Sequence, residues 1–485
     1  MLMLLDIAIT GGVNLRPNFS PGVVYYSINI FFFLDYGYTH SKLTFFAEKA
    51  LLATEGKPPR LENIGFVYPP LAFVPFLLIK NPTVVPALVS AMVSGLLIFL
   101  LMREKDSFNI AGFLYVLLLL FNPLYLFLAS QRFDVLLFYM LLSFSVWFGI
   151  KHLESGYSIY AFASGLSFGL TFFVDFRSIF LLPVFAIGVY SSTKEKTLHY
   201  RLAIILVKLT PILFFLLSWM YLNWVFTEDP FHFINSPYSF FRGEDGYTYS
   251  TSLVDSIRTT FKFLFYNLPL IAPYVIVLLY LVKYRLFYSI PFVLFYILPI
   301  LLVYLSAYFG LFIPSFYQTI LFLIFAFIFQ KYTLKNIKIP LSISAIISFV
   351  LSFILPTTSP ELNEKSFIRA LIYNEKPNKV LLKSEDIKIA YLIKEINCRK
   401  TLTDDAYSFE VVFFHGNPNA FVLPYNYEYY TYLSYPYYRV DCILIDKRDV
   451  KGPLIARFPK AKEGYLKGYF LVHQGDKYVL YKAFW

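Results

Sequence analysis

Few side chains in this sequence could do chemistry, and most of them stand where apolar runs are interrupted. Asp35 follows the run FSPGVVYYSINIFFFL, His40 comes five residues later, and Tyr68 opens a Tyr-Pro-Pro-Leu turn. Arg132 and Asp134 lie in FNPLYLFLASQRFDVLLFYMLL, and Asp175 and Arg177 in GLSFGLTFFVDFRSIFLLP. A carboxylate in such a place can take a proton from a hydroxyl, and a guanidinium can hold a phosphate through two parallel hydrogen bonds. Each residue also has a plainer reading. Asp35 suits a solvated interface or a helix cap, Asp134 the first turn of a helix, and Arg132 a snorkelling position. Asp175 and Arg177 can pair with each other. Tyr68 and the prolines after it can simply shape the chain's return to an apolar segment, and His40 and His232 read as lone surface histidines. His415 with Asp404 and Asp405 would suggest a hydrolase, but no GxSxG nucleophile motif accompanies them. A solvated loop is expected there. Gly165 and Gly169 form GxxxG, usually a helix-packing signal.

The elements that carry these residues are read from composition. Hydrophobic residues make up 58% of the 485 positions and charged residues 15%, so lipid is the expected solvent for most of the chain. Runs suited to spanning lie at about 83–102, 108–129, 133–150, 158–174, 178–190, 200–226, 260–282, 286–308, 314–330 and 339–355. A further run ends at Leu34, and its start is not fixed. The expected architecture is an α-helical polytopic membrane protein with about ten or eleven transmembrane helices. Loops 103–107, 151–157, 191–201, 283–285 and 331–338 hold eleven Lys and Arg in 34 residues, against eight in 75 for the alternate loops. The positive-inside rule therefore places 35–65 and 227–259 outside. No basic n-region or small-residue cleavage site marks the start, so the first spans are expected to serve for targeting. The net charge of +11 is dispersed without a basic tract interleaved with stacking aromatics, and nucleic acid is not an expected partner.

From Pro356 the pattern changes. Residues 384–397 read as an amphipathic helix, and 439–446, 469–474 and 477–484 as strands, the last two joined as a hairpin through Gly475-Asp476. Residues 1–355 are thus expected to form a transmembrane domain and 356–485 a small extracytoplasmic α/β domain. Cys398 and Cys442, the only cysteines, both fall in the latter and could form one disulfide.

Taken together, an acid at the end of an early span, an interfacial helix, YPPL entering an apolar helix, the Asn-Pro span ending before Asp134, and the basic residue before Leu-Leu-Pro resemble the GT-C superfamily of membrane glycosyltransferases. The branches it resembles are the dolichyl-phosphate-mannose protein mannosyltransferases, the aminoarabinose lipid A transferases and the polyprenyl-phosphomannose-dependent enzymes. The stretch 401–480, with LTDD, VDCILIDKR and YVLYK, resembles the soluble domain many of them append. The resemblance covers most of the chain through short, degenerate motifs. It implies transfer of a sugar, with inversion, from a polyprenyl (dolichyl) phosphate carrier to a protein, glycan or lipid acceptor outside the plasma membrane. Asp35 would be the general base and Asp134 would orient acceptor or metal. Arg177 with Arg132 would hold the departing phosphate, and Tyr68 and His40 would contact substrate. The 227–259 loop, with Tyr238, Arg242, Glu244, Asp245 and Tyr247, would cover the site.

Many relatives carry a second acid directly after the first, where this chain has Tyr36. One carboxylate and His40 are a thin ligand set for a divalent cation, so no metal is assigned, although a divalent cation stays open as a cofactor. Two rivals remain. A lipid-linked sugar flippase or secondary transporter would place ionisable residues near the centres of its helices, where the spans from 83 onward hold almost none. A non-catalytic anchored protein would need far fewer spans.

Overall fold

The computed structural model describes residues 21–60, 63, 65–103, 110–192, 197–236, 252–283, 290–308, 315–329, 338–450 and 452–484. Its contacts divide the chain into two compact units. One draws on residues up to Ile28, Phe66–Ala72 and Pro86–Pro377; the other on Asn29–Gly65, Phe73–Val85 and Asn378–Trp485.

The described residues start with helices α1 (Pro21–Tyr36) and α2 (Ser41–Glu55). In the first, helical unit follow α3 (Val84–Arg103), α4 (Ile110–Leu120), α5 (Pro123–Gln131), α6 (Phe133–Ser155) and α7 (Ser158–Phe172). It continues with α8 (Leu182–Ser192), α9 (Leu198–Thr227), α10 (Leu253–Tyr266), α11 (Leu268–Lys283), α12 (Ile290–Tyr308), α13 (Thr319–Phe329), α14 (Lys338–Leu351) and α15 (Leu362–Tyr373). Among the described residues three helical stretches are long and apolar enough to cross a membrane: Phe133–Ser155, Leu198–Thr227 and Ile339–Thr358. Counting each of two bent pairs as one span makes five. Several apolar helices of 10–17 residues accompany them, including Val84–Ile98 and Ser158–Phe172. On α9, Leu206, Phe214, Leu217 and Trp224 are all more than half exposed, a surface suited to acyl chains rather than water.

The bends separate runs that look continuous in sequence. Asn122 caps α5 by accepting the Leu124 N–H at 2.9 Å, and Pro123 starts the helix, so the 108–129 run breaks by 53°. The 260–282 run also divides, with α10 and α11 meeting at 94° about Asn267. Elsewhere the GxxxG signal marks close approach. A Cβ on Gly165 would lie 2.0 Å from the Lys208 carbonyl oxygen, so α7 and α9 can touch only where the side chain is absent.

The second unit is an α/β domain. Its helices α16 (Ser384–Glu395), α17 (Asp405–His415), α18 (Tyr429–Ser434) and α19 (Pro453–Arg457) flank strands β1 (Thr401–Leu402), β2 (Phe421–Val422), β3 (Cys442–Asp446), β4 (Tyr469–Gln474) and β5 (Tyr478–Ala483). The sheet order is β2-β1-β3-β5-β4, with the first three strands parallel and the last two antiparallel neighbours. Side chains alternate across it as strand geometry requires. Leu444 and Leu480 pack with α16 and α17, whereas Ile443, Ile445 and Val479 face Leu433 and Leu454 from α18 and α19. Cys398 and Cys442 are joined in a disulfide. The helix, the three longer strands and the Gly475-Asp476 hairpin lie close to their expected places. The C-terminal stretch of the compact unit runs from Asn378, and the unit also includes α2, whose Leu52 enters the core beside Ile389 and Val412.

Candidate functional site

Two breaks between helices of the helical unit bring charged residues together. At the first, α5 ends at Gln131 and α6 begins at Phe133, with Arg132 in a non-helical conformation between them. Its guanidinium grips Asp134, Nε donating to Oδ1 at 3.1 Å and Nη2 to Oδ2 at 3.2 Å. Asp134 sits in the first turn of α6, where the helix dipole favours an acid. At the second break, Asp175 caps the 3-10 turn Phe176–Leu181 by accepting the Arg177 N–H at 2.9 Å. The Arg177 side chain then folds back on the same carboxylate through Nε at 2.8 Å and through Nη2, while Nη1 donates to the Ser306 hydroxyl of α12 at 2.9 Å. Asp175 and Arg177 are 6% and 7% exposed, so pairing is what makes their burial tolerable.

Both arginines lie within electrostatic reach of two buried tyrosines. The Arg132 guanidinium lies 6.0 Å from the centre of the Tyr317 ring, and Arg132, Arg177, Asp175 and Tyr317 all act electrostatically on the Tyr139 hydroxyl of α6. Tyr317 belongs to a 3-10 turn, Phe316–Gln318, that Glu364 holds from α15. Glu364 accepts the Tyr317 N–H at 2.7 Å, the Phe316 N–H at 3.2 Å and the Ser359 hydroxyl at 2.5 Å. Burial pushes its carboxyl up to about 8, against the pull of these donors. The result is a largely buried group of two guanidiniums, two carboxylates and two phenols around three helix boundaries. Such a group can clamp an anion or orient a hydroxyl.

Of the residues singled out in the sequence, Arg132, Asp134 and Arg177 are thus brought together. Tyr68 belongs to the same unit, half-buried just before the 3-10 turn Pro70–Ala72. The Leu71 N–H of that turn donates to the Phe173 carbonyl at 2.8 Å, two residues before Asp175. Asp35 and His40 lie in the other unit. Asp35 is exposed in the last turn of α1, which ends where Gly37 takes φ +62° and returns its N–H to the Phe33 carbonyl at 2.9 Å. Its carboxylate makes no hydrogen bond or ion pair with the described residues. His40 is buried and caps α2, its Nδ1 accepting the Lys42 N–H at 3.1 Å. That structural task replaces the free surface histidine expected from sequence. The loop residues Tyr238, Arg242, Glu244, Asp245 and Tyr247 lie outside the described residues.

The expected solvated loop around His415 is instead an ordered helix. Asp404 caps the start of α17 and His415 stands in its last turn, so the helix holds them about 15 Å apart and they form no dyad. Burial lowers the His415 imidazole to about 4 and raises Asp404 to about 6. Among the described residues no three His, Cys, Asp or Glu side chains are gathered so as to hold a metal ion.

Lys208 and Glu48 are among the buried charges that escaped the sequence reading. Lys208 is 1% exposed within the 30-residue α9, its Nζ 5.9 Å from the Phe185 ring centre, with no carboxylate at ion-pair distance among the described residues. A lysine inside an apolar run is visible in sequence and was the available signal. Glu48 on α2 is wholly buried, and among the described residues neither carboxyl oxygen has a hydrogen-bond partner, although Lys49 Nζ lies 3.4 Å from Oε2. Its amphipathic surroundings gave no hint of that.

No family model, curated protein or solved structure matches this chain.

Proposed function

We propose that the chain is an integral membrane glycosyltransferase of GT-C type with ten or eleven spans, transferring a sugar from a polyprenyl phosphate carrier to an acceptor outside the membrane. The observation that carries the reading is that two arginines, each fixed by an acid two residues away, lie within electrostatic reach of the same buried tyrosines, Tyr139 and Tyr317. A lipid-linked donor leaves behind a phosphate, and guanidiniums held rigid at helix boundaries suit its geometry and charge. In this reading Arg177 and Arg132 hold the departing phosphate and Asp35, an exposed carboxylate, removes the acceptor proton. The Cys398–Cys442 disulfide supports an extracytoplasmic location for the α/β unit, because such bonds persist in oxidising compartments.

A second reading, transport of a lipid-linked sugar or another solute, is favoured by Lys208. It lies about 15 Å along α9 from Leu198, deep enough that a cation with no carboxylate partner among the described residues suggests a substrate or coupling pathway. One experiment separates the two. Full-length protein in nanodiscs is given radiolabelled polyprenyl-phosphate mannose or glucose, beside Asp35→Asn, Arg177→Lys and Lys208→Met variants. Release of polyprenyl phosphate by the parent, lost in the first two variants and kept in the third, is the expected result. If the parent binds donor without consuming it, and only Lys208→Met abolishes movement of donor across a liposome membrane, transport replaces glycosyl transfer.

A further inference from the structure

Helix α10 has three faces. At 100° per residue, Leu253, Val254, Ile257, Phe261 and Phe265 occupy an arc of about 120°. All five are exposed, with Val254 at 72%, Phe261 at 68% and Phe265 at 75%. Ser256, Thr260 and Phe263 form a second, buried face on the side that packs against α12. Asp255, Arg258 and Lys262 occupy the third face and are also exposed. Water alone would leave the apolar arc unsatisfied, and a bilayer core alone would strand the charges.

The 94° bend to α11 fixes how one environment can satisfy both. Two helices at a right angle cannot both run along the membrane normal. Of the two, α11 has no charged residue before Lys283 and packs between the apolar helices α13 and α14, so α11 is the one suited to the hydrocarbon. The helix carrying Asp255, Arg258 and Lys262 must then run nearly in the membrane plane. Leu268, 46% exposed at the start of α11, continues the apolar surface of α10 into that of the span.

We propose that α10 lies flat at one surface of the bilayer, with Phe261 and Phe265 sunk among acyl chains and Arg258 and Lys262 set against lipid phosphates. A strong division into apolar and basic faces, over a helix of about 21 Å, is what binds helices to this boundary. The inference rests on the spanning character of α11 and not on glycosyl transfer.

The test uses the full chain in nanodiscs made from phosphatidylcholine with phosphatidylglycerol, at one protein per disc. Both native cysteines are bonded to each other, so a single cysteine introduced at 258, 261, 262 or 265 gives a unique thiol for a spin label. Collision with oxygen, concentrated in acyl chains, is compared with collision with a water-soluble nickel chelate. Labels at 261 and 265 are expected to favour oxygen at least fivefold relative to those at 258 and 262, with the nickel preference reversed. Equal nickel access at all four positions would overturn the proposal by placing α10 in water. Low access to both reagents at 261 and 265 would overturn it equally, since protein would then cover that face. An Arg258→Gln/Lys262→Gln variant carrying the label at 261 is expected to lose oxygen contact more readily than its labelled parent as phosphatidylglycerol is withdrawn. An identical response in both would remove the phosphate contact from the proposal.

Discussion

Asp134 and Asp175 in the helical unit and Glu48 in the α/β unit show two opposite ways of burying an acid. In the helical unit, Asp134 and Asp175 each have an arginine two residues away, and each pair closes on itself with two or more hydrogen bonds. In the α/β unit, Glu48 is wholly buried, and among the described residues neither oxygen has a hydrogen-bond partner. Its nearest cation, Lys49 at 3.4 Å, is shared with Asp405. Burial pushes Glu48 up to about 8, with Lys49 pulling the other way and Asp405 adding to the rise. A buried acid therefore either keeps its charge by keeping a partner or gives the charge up. The first kind fixes a guanidinium in one orientation, and the second makes its surroundings sensitive to pH.

The largest effect should come from breaking a pair on one side only. Arg177→Met leaves Asp175 buried without its partner and should cost about 3–5 kcal/mol. Asp175→Asn combined with Arg177→Met removes both charges while the new amide can still cap the Phe176–Leu181 turn, and should recover much of that loss. Thermal unfolding of the four proteins of this cycle measures the coupling. Additive losses would mean that the pair is not the buried unit described.

Glu48 should show the contrasting behaviour. Its folded pKa is raised above the unfolded value, so its stabilising contribution is complete below about 4.5 and is lost as pH rises toward about 8. One proton of difference gives a slope of at most about 1.4 kcal/mol per pH unit. Amide exchange of α2 in the full chain, corrected for the intrinsic pH dependence, should therefore accelerate across this interval. Glu48→Gln keeps the shape and removes the titration, so its profile should be flatter. Parallel profiles in the two proteins would place the Glu48 pKa near its ordinary value.

The sequence made some of this legible and hid the rest for physical reasons. The α/β elements read well where alternation ran over five or six residues, as in β3, β4 and β5. The two-residue strands β1 and β2 are too short to carry a period. Pairing of Asp175 with Arg177 was open to inspection because the partners are two positions apart. The electrostatic reach of Arg132 and Arg177 to Tyr139 and Tyr317 was not, since it depends on how separate helices pack. Hydropathy windows measure burial in lipid but not direction, which is why 260–282 reads as one span although it turns through 94°. Pro269 was the overlooked signal, because proline is favoured in the first turn of a new helix and so marks a helix start. The union of α2 with the C-terminal unit is a contact between distant parts of the chain, and local pattern cannot report it.

The smallest effect bears on whether His40 serves the fold or a substrate. Its Nδ1 caps α2, and removing such a cap costs about 1 kcal/mol. His40→Ala should accordingly raise amide exchange in the first turn of α2 about fivefold, the factor that corresponds to a loss of this size. Asparagine is a strong capping residue, so His40→Asn should restore the slow exchange. If the histidine also contacts substrate, His40→Asn should leave donor turnover impaired although the helix is restored, because an amide cannot exchange a proton as imidazole does. If capping is its whole role, turnover in His40→Asn should equal that of the parent. Exchange and turnover failing together in both variants would show instead that the introduced amide does not cap, and that the geometry at this helix start depends on the imidazole ring itself.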